Sequence, residues 1–239
     1  VVLGLTEHQA RAEAARCLQC GICSECLACV YACGAAAIDH EMSPIEETLQ
    51  VGAIILAPGF EPFSARRAEE FGFGRFPNVI TALQFERLLS ASGPTGGHLL
   101  RPSDGKPPRR IAFLQCIGSR DQDHDYCSSV CCMYATKEAM LAREHQPDLE
   151  AHIFMMDVRA FSKGFLAYFK RAELQSGLQY HRCRISSVSE DAQSHDLLLK
   201  TIDEQGSPRQ ERFDLIVLSI GMEIPESTRA LAQRLDVNL

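Results

Sequence analysis

Apolar residues in this chain fall into short dense runs separated by turn-formers, with longer helical stretches between them. Leu49-Gln-Val-Gly-Ala-Ile-Ile-Leu-Ala-Pro-Gly59, Arg110-Ile-Ala-Phe-Leu-Gln-Cys116, His152-Ile-Phe-Met-Met-Asp157 and Phe213-Asp-Leu-Ile-Val-Leu-Ser-Ile-Gly221 are each short and nearly continuous in apolar residues. That pattern predicts strands buried on both faces. Further strands are expected at Gln179 to Val188 and Leu197 to Ile202. Thr6 opens a capped, alanine-rich helix to Arg16. Ala82 to Ala91 puts Leu83, Phe85, Leu88 and Leu89 on one face, and helices are also expected from about Ser128 to His145 and from Lys163 to Gln175. Ser103-Asp-Gly-Lys-Pro-Pro108 marks a boundary, and there is no internal repeat.

Between Arg110 and Asp157 the order strand, loop, helix, strand ending in an acid is that of a dinucleotide-binding half, with Asp157 where a ribose-binding carboxylate stands. The glycine loop is missing. In its place runs Cys116-Ile-Gly-Ser-Arg-Asp-Gln-Asp-His-Asp-Tyr-Cys127-Ser-Ser-Val-Cys131-Cys132, where Asp121, Asp123 and Asp125 oppose a phosphate. This reads as a nucleotide site turned over to metal.

Composition narrows the setting. The 239 residues are 46% hydrophobic and carry 31 acidic against 24 basic side chains, for a formal charge of −7. One large or two smaller globular domains fit that length. The charge gives no case for nucleic acid or an anionic membrane face, and the apolar runs are too short for membrane insertion. Eleven cysteines, an odd count, and no signal peptide at the start of the chain point to a reducing, cytoplasmic location.

The cysteines carry the chemistry. Cys17, Cys20, Cys23, Cys26, Cys29 and Cys33 form one run, whose last four read C-x2-C-x2-C-x3-C, the bacterial ferredoxin pattern, with Gly34 where proline is usual. A zinc site normally joins two C-x2-C pairs through a long spacer, and none is present, so iron–sulfur is the preferred reading over zinc. Cys23, Cys26, Cys29 and Cys33 are the first choice of ligands; Cys17 and Cys20 either serve a second cluster or replace members of that set. The second group is Cys116, Cys127, Cys131 and Cys132. Vicinal cysteines make poor disulfides and unusual zinc ligands, and helix amides suit an anionic cluster. The alternative is that some are buried apolar thiols. Cys183 reads as a half-buried thiol, and His40, His98, His124 and His145 as surface residues. Lys163-Gly164 is either an anion contact or a helix start. Gly59 and Gly221 each close a strand with a small residue and a glycine, a form that lets backbone approach a cofactor; together they resemble the two crossovers of flavoproteins of the disulfide-reductase type.

Phe113-Leu-Gln-Cys-Ile-Gly-Ser-Arg-Asp121, Tyr126-Cys-Ser-Ser-Val-Cys-Cys-Met-Tyr-Ala-Thr-Lys137, Met156-Asp-Val-Arg-Ala-Phe-Ser-Lys-Gly164 and Leu89-Ser-Ala-Ser-Gly-Pro-Thr-Gly-Gly-His98 together resemble the A subunit of heterodisulfide reductase and its bacterial relatives, over nearly the whole chain. The resemblance implies an α/β, Rossmann-like core of the disulfide-reductase flavoprotein type behind a cysteine-rich iron–sulfur segment. It implies a non-standard [4Fe–4S] cluster on Cys116, Cys127, Cys131 and Cys132, near FAD that sequence outside this chain completes, since no G-x-G-x-x-G is present. The expected divisions are 1–42, an iron–sulfur segment; 43–108, a partial FAD-domain crossover and insertion; 109–214, an NAD-domain-like unit carrying the cluster; and 215–239, a return to the FAD domain. The implied function is electron transfer between flavin and [4Fe–4S] clusters in an oxidoreductase complex, with flavin-based electron bifurcation in several family members. The implied partners are heterodisulfide reductase B/C-like, hydrogenase or dehydrogenase subunits, with a homodimer allowed. Two other readings stand beside it: a non-enzymatic zinc- or thiol-based scaffold docking partner subunits, and a nicotinamide-using reductase, which the absent glycine loop disfavours.

Overall fold

A computed structural model describes residues 5–15 and 27–238. In chain order these form α1 (Glu7–Ala15), α2 (Ala28–Ala32), β1 (Glu61–Pro62), β2 (Val79–Thr81), α3 (Ala82–Leu89), β3 (Arg110–Ile117), α4 (Cys131–His145), β4 (Glu150–Met155), α5 (Phe165–Gln175), β5 (Gln179–Glu190), β6 (Leu197–Asp203), β7 (Pro208–Phe213), β8 (Leu215–Ile220), β9 (Met222–Glu223) and α6 (Glu226–Arg234). Two short 3-10 turns, Ala65–Arg67 and Glu69–Phe71, follow β1.

Seven strands form one sheet in the order β2-β8-β3-β4-β5-β6-β7. The pairs from β2 through β5 are parallel, with Ile111 opposite Leu215 and Phe113 opposite Ile153. β5, β6 and β7 then form an antiparallel meander. Parallel neighbours require a crossover, and α4 and α5 supply it for β3 to β4 and β4 to β5. The core is therefore a Rossmann-like α/β unit.

Helix periodicity explains the layers. Ala135, Ala139 and Ala142 of α4 share a face, and small side chains there let the helix lie close against Ile111, Phe113 and Ile153. Phe85 and Leu89 of α3 close the same layer. Thr81 caps α3 reciprocally with Gln84, its hydroxyl accepting from the Gln84 amide. On the other face of the sheet Phe63 and Phe71 pack with Leu114, Phe154, Phe213 and Leu218. All six residues of β8 are buried.

Several expectations change. Leu49 to Gly59 is not a strand: it runs as exposed coil, with Ile54 67% and Ile55 93% exposed. A β-prone run forms a strand only against a neighbour that takes its amides and carbonyls, and among the described residues nothing pairs with it. Leu83 is 61% exposed and does not join the buried face of α3. The divisions expected after 108 and 214 cut through one packed body, because β2, α3 and β8 belong to the same sheet and core as β3 to β7. β2, β7 and α6 were not expected from the sequence.

Candidate metal centre

The carboxyl ends of β3 and β8 lie side by side where the strand order reverses, the place at which open α/β sheets bind ligands. Here β3 departs from regular geometry. Its register against β8 shifts between Leu114 and Ile117, and Cys116 sits at φ 63. Arg120 and Ser129 also have positive φ, so three of the seven described non-glycine residues in that region lie in this one loop. Each costs of the order of 1 kcal/mol or more, and such outliers persist where surrounding structure holds them.

The surroundings do hold them. The Gly221 amide donates to the Ile117 carbonyl at 2.7 Å and the Phe63 amide to the Gly221 carbonyl at 2.9 Å. A Cβ on Gly221 would stand 2.4 Å from the Gly118 oxygen, and one on Gly118 would enter the Phe63 ring at 2.1 Å. Gly221 is thus a glycine demanded by the close packing of its backbone against Gly118. Gly59, at φ 82, has nothing within 4 Å of where its Cβ would be. The loop is tied by the Ser119 hydroxyl donating to the Tyr126 carbonyl at 2.8 Å and the Met222 amide donating to Ser128 Oγ at 3.0 Å.

This loop and the start of α4 gather the second cysteine group. Cys131 and Cys132 are buried, and Cys116 and Cys127 half-buried. Cys131 Sγ lies 3.7 Å from the Ile220 carbonyl, Cys132 Sγ lies 3.8 Å from the Asp157 carbonyl, and the Ser129 amide donates to Cys127 Sγ at 3.3 Å. Burial pushes the Cys116 thiol up to about 11, with Cys132, Cys131 and Cys127 all adding to the rise and Arg120 opposing it. Burial also raises Cys131 and Cys132. The four sulfurs are therefore electrostatic neighbours. Among the described residues no group of three or more His, Cys, Asp or Glu side chains is drawn tightly enough together to chelate one metal ion. No side chain caps α4 and no acidic residue stands in its first turn; the Met133 and Tyr134 amides donate to the Val130 carbonyl at 3.1 Å, which leaves those of Cys131 and Cys132 without a side-chain acceptor.

Of the first run, Cys17, Cys20, Cys23 and Cys26 lie outside the described residues, as does the end of the expected helix at Arg16. Cys29 falls in α2. Cys33 follows that helix, and its sulfur accepts from the Ala37 amide at 3.4 Å. The amides of Ala37, Ala35 and Ala36 lower its thiol below the ordinary value against a small burial effect, which favours thiolate, the form that binds metal.

Other expected groups have different roles. Asp157 stands two residues beyond the end of β4, and its carboxylate is held by Arg120 and, at 3.0 Å, by Arg159 Nε. It braces the cysteine loop and is not free for a ribose. His124, expected at the surface, is buried. Its Nδ1 lies 3.0 Å from Asp121 and its Nε2 lies 3.0 Å from Glu223, which pairs with Arg67 at 2.7 Å. His40, His98 and His145 are exposed, and Gly164 is the left-handed residue that starts α5. Cys183 is half-buried, its thiol pushed up to about 11 by burial.

Two cavities flank the cysteines. A polar one of about 720 Å³ is bounded by Cys116, Gly118, Arg120, Asp121, Asp123 and Arg184, so carboxylates face the approach a pyrophosphate would take. An apolar recess of about 220 Å³ lies on the α4 side, lined by Phe60, Leu83, Val130, Tyr134, Glu138, Ile220, Gly221 and Met222. Tyr134 closes its inner wall, its hydroxyl donating to the Ile220 carbonyl at 3.0 Å. No sequence signal marked this recess, since its walls come from four separate stretches.

Fold and site together define a Rossmann-like α/β unit with cysteines at the point where its strand order reverses. No family model matches the chain. It is 42% identical over 226 residues to the iron–sulfur A subunit of CoB–CoM heterodisulfide reductase from Methanocaldococcus jannaschii, covering 93% of this chain and 34% of that protein. It is 44% identical over 198 residues to the first of two such A subunits in Methanopyrus kandleri, covering 80% and 30%. It is 37% identical over 223 residues to the A subunit of the ferredoxin/F420H2-dependent CoB–CoM heterodisulfide reductase of Methanosarcina acetivorans, covering 92% and 27%. The chain belongs to the family of heterodisulfide reductase A subunits, and it spans about a third of the length of the curated relatives it matches. Among solved structures, a T. acidophilum thioredoxin reductase matches with a TM-score of 0.42 at 10% identity, covering 71% of this chain and 44% of that one. The lysine monooxygenase NbtG of Nocardia farcinica matches at 0.40 and 12%, covering 68% and 43%. Among the described residues no helix is long and apolar enough to cross a membrane.

Proposed function

We propose that this chain is the cluster-bearing part of an electron-transfer subunit in a heterodisulfide-reductase-like oxidoreductase complex, exchanging electrons between FAD and iron–sulfur centres. The observation that carries this reading is the gathering of Cys116, Cys127, Cys131 and Cys132 at the carboxyl end of the sheet, next to an apolar recess bounded by Gly221. Four soft donors and no competing carboxylate ligand suit iron and sulfide. A lone zinc ion, bound at about 2.3 Å by each sulfur, asks for all four to converge on one point. When bound, a [4Fe–4S] cluster supplies one-electron storage and FAD links one- and two-electron chemistry.

The chain's own residues do the rest. Cys131 and Cys132 bring their sulfurs into a buried site that excludes water, and the leading amides of α4 supply donors and a positive dipole end to offset thiolate charge. Arg120, anchored by Asp157, adds positive charge beside Cys116. The recess has room for a fused-ring heterocycle but not for a whole dinucleotide, so we assign it to the flavin ring, with Gly221 giving close backbone approach. Gly59, next to Phe60 on the recess wall, is the second flavin contact. The remainder of FAD is held by sequence beyond this chain.

In the same reading Cys23, Cys26, Cys29 and Cys33, with Cys17 and Cys20, hold further iron–sulfur, and the partners are B/C-like, hydrogenase or dehydrogenase subunits in the cytoplasm. Relatives are named for reactions joining H2 or F420H2, ferredoxin and the CoB–CoM heterodisulfide, and division of electrons between two acceptors belongs to this proposal.

The test is iron and sulfide analysis with electron paramagnetic resonance on anaerobically purified protein, wild type against Cys131→Ser. The expected result is a brown wild type and a variant short of one cluster's iron, sulfide and signal. Unchanged iron and signal, or a colourless protein carrying zinc, overturns the proposal, the zinc result in favour of a scaffold role.

A further inference from the structure

Two acids line the otherwise apolar recess, and they differ: Glu86 is paired with Lys137 at 2.7 Å, whereas Glu138 has no such partner. Glu138 lies on α4 one turn beyond Tyr134, is 3% exposed, and lines the recess among Phe60, Leu83, Ile220 and Met222. Its Oε2 is buried without a hydrogen-bond partner. A buried polar atom left unsatisfied is costly and rare. It is also unused by the cysteine site, which lies about two turns nearer the start of the same helix.

We propose that the Glu138 carboxyl is the polar anchor of the recess, donating a hydrogen bond to an acceptor on the rim of a planar heteroaromatic ring seated there; this rests on the flavin reading above and assigns the residue that positions the ring. The chemistry of the walls selects that class of ligand. An aliphatic group would leave the acid unsatisfied, and an anion would meet an acid with no neighbouring donor. A flat ring with acceptor atoms at its edge satisfies both the apolar walls and the single donor.

Burial, with a further push from Glu86 and against the pull of Lys137, raises Glu138 to about 9, so it carries its proton at neutral pH and can donate. The titratable groups that face it are few. Glu86 on α3 and Lys137 on α4 form an ion pair at 2.7 Å. Tyr134, whose own hydroxyl burial holds well above the ordinary value, is engaged with the Ile220 carbonyl. Phe60, Pro62, Ile220, Gly221 and Met222 bring no ionisable side chain to the recess.

The experiment is fluorescence-quenching titration of riboflavin into the anaerobically purified chain, as wild type, Glu138→Gln and Glu138→Ala, from pH 6 to 10. Thermal melts check that each variant is folded. Glutamine keeps a donor of the same shape and should bind as tightly as wild type at pH 7, while alanine should bind at least about tenfold more weakly. Wild-type affinity should fall about tenfold for each pH unit above about 9 as the donor is lost, with Glu138→Gln flat beside it. Alanine binding like wild type, or parallel pH profiles for wild type and Glu138→Gln, overturns the inference and leaves the flavin reading standing. No riboflavin binding by any form at any pH overturns both.

Discussion

Leu49 to Gly59 and Phe213 to Gly221 are built alike, apolar and β-branched with a terminal glycine, yet one is exposed coil and the other contains the fully buried strand β8. The difference lies in their neighbours. β8 has β2 on one side and β3 on the other, so its amides and carbonyls are taken on both edges. The upstream run has no such partner among the described residues, and Ile55 is 93% exposed. Sequence character makes a strand available; a flanking sheet makes it form. The same substitution in both places separates the two runs. Val217→Asp puts an unpaired carboxylate between β2 and β3, where Val217 is fully buried, and should cost at least about 4 kcal/mol and abolish cooperative folding. Ile55→Asp should leave the melting temperature of this chain unchanged. A matching loss at Ile55 in thermal melts would show that the upstream run is part of the folded core after all.

A second contrast concerns acids. Glu138, beside β8, is pinned in an apolar recess, whereas Glu47, in the upstream coil, is exposed. Glu138 has an ordinary value of 4.5 and a folded one of about 9. Below the ordinary value both states are protonated and the group is neutral to stability. As pH rises past it the unfolded chain releases the proton while the folded one keeps it, so stability falls until about pH 9. At pH 7 that amounts to about 3 kcal/mol, by 1.36 kcal/mol per unit. Glu138→Gln should therefore stabilise the ligand-free chain by about that much at pH 7, more at pH 9, and not at all below about pH 4. Denaturant melts across pH read the result, and a Glu138→Gln gain independent of pH would separate the residue's cost from its charge.

The glycines that close the two runs divide in the same way. Gly221→Ala drives a methyl toward the Gly118 carbonyl oxygen at 2.4 Å, backbone that cannot swing aside, and should cost about 2 kcal/mol. It should also disturb the register that places Cys116. Gly59→Ala meets no neighbour and should leave the melt of the described core unchanged, its strained φ of 82 being felt only locally. Equal losses at both positions would mean that Gly59 is packed in the folded protein.

What could be read from the sequence follows the same division between local and long-range causes. β3, α4, β4, α5, β5, β6 and β8 were legible because each carries its periodicity within its own span. β7 was not, since Pro208-Arg-Gln-Glu-Arg is polar and becomes a strand only as the edge of a meander beside β6. α6 was hidden by its low apolar content, only Ala232 being buried. At the site, the cysteines announced themselves by spacing. The positive φ of Cys116, the recess with Glu138 and the burial of His124 did not, because each depends on contacts from far along the chain, such as His124 with Glu223, 99 residues away. Asp157 follows β4 as its place in the sequence suggests, but only the fold brings Arg120 and Arg159 onto it.

The smallest effect offers the finest test. Two helices open with the same device: Thr6 and Gln9 on α1, and Thr81 and Gln84 on α3, each with the threonine hydroxyl accepting the third amide at 3.3 Å and the glutamine side chain returning a bond at 2.9 Å. Locally the caps are equivalent, and each is worth about 1 kcal/mol to its own helix. Their consequences should differ, because α3 buries Ala82, Phe85 and Leu89 in the core while the described side chains of α1 are exposed. Fraying α3 loosens the wall of the recess and the packing on Phe113, so Thr81→Ala should lower the global unfolding free energy by about 1 kcal/mol. Thr6→Ala should reduce helical circular dichroism slightly and leave the unfolding midpoint where it was. A shift of the midpoint by Thr6→Ala equal to that of Thr81→Ala would place α1, and the cysteine run it leads into, inside the same cooperative unit as the sheet.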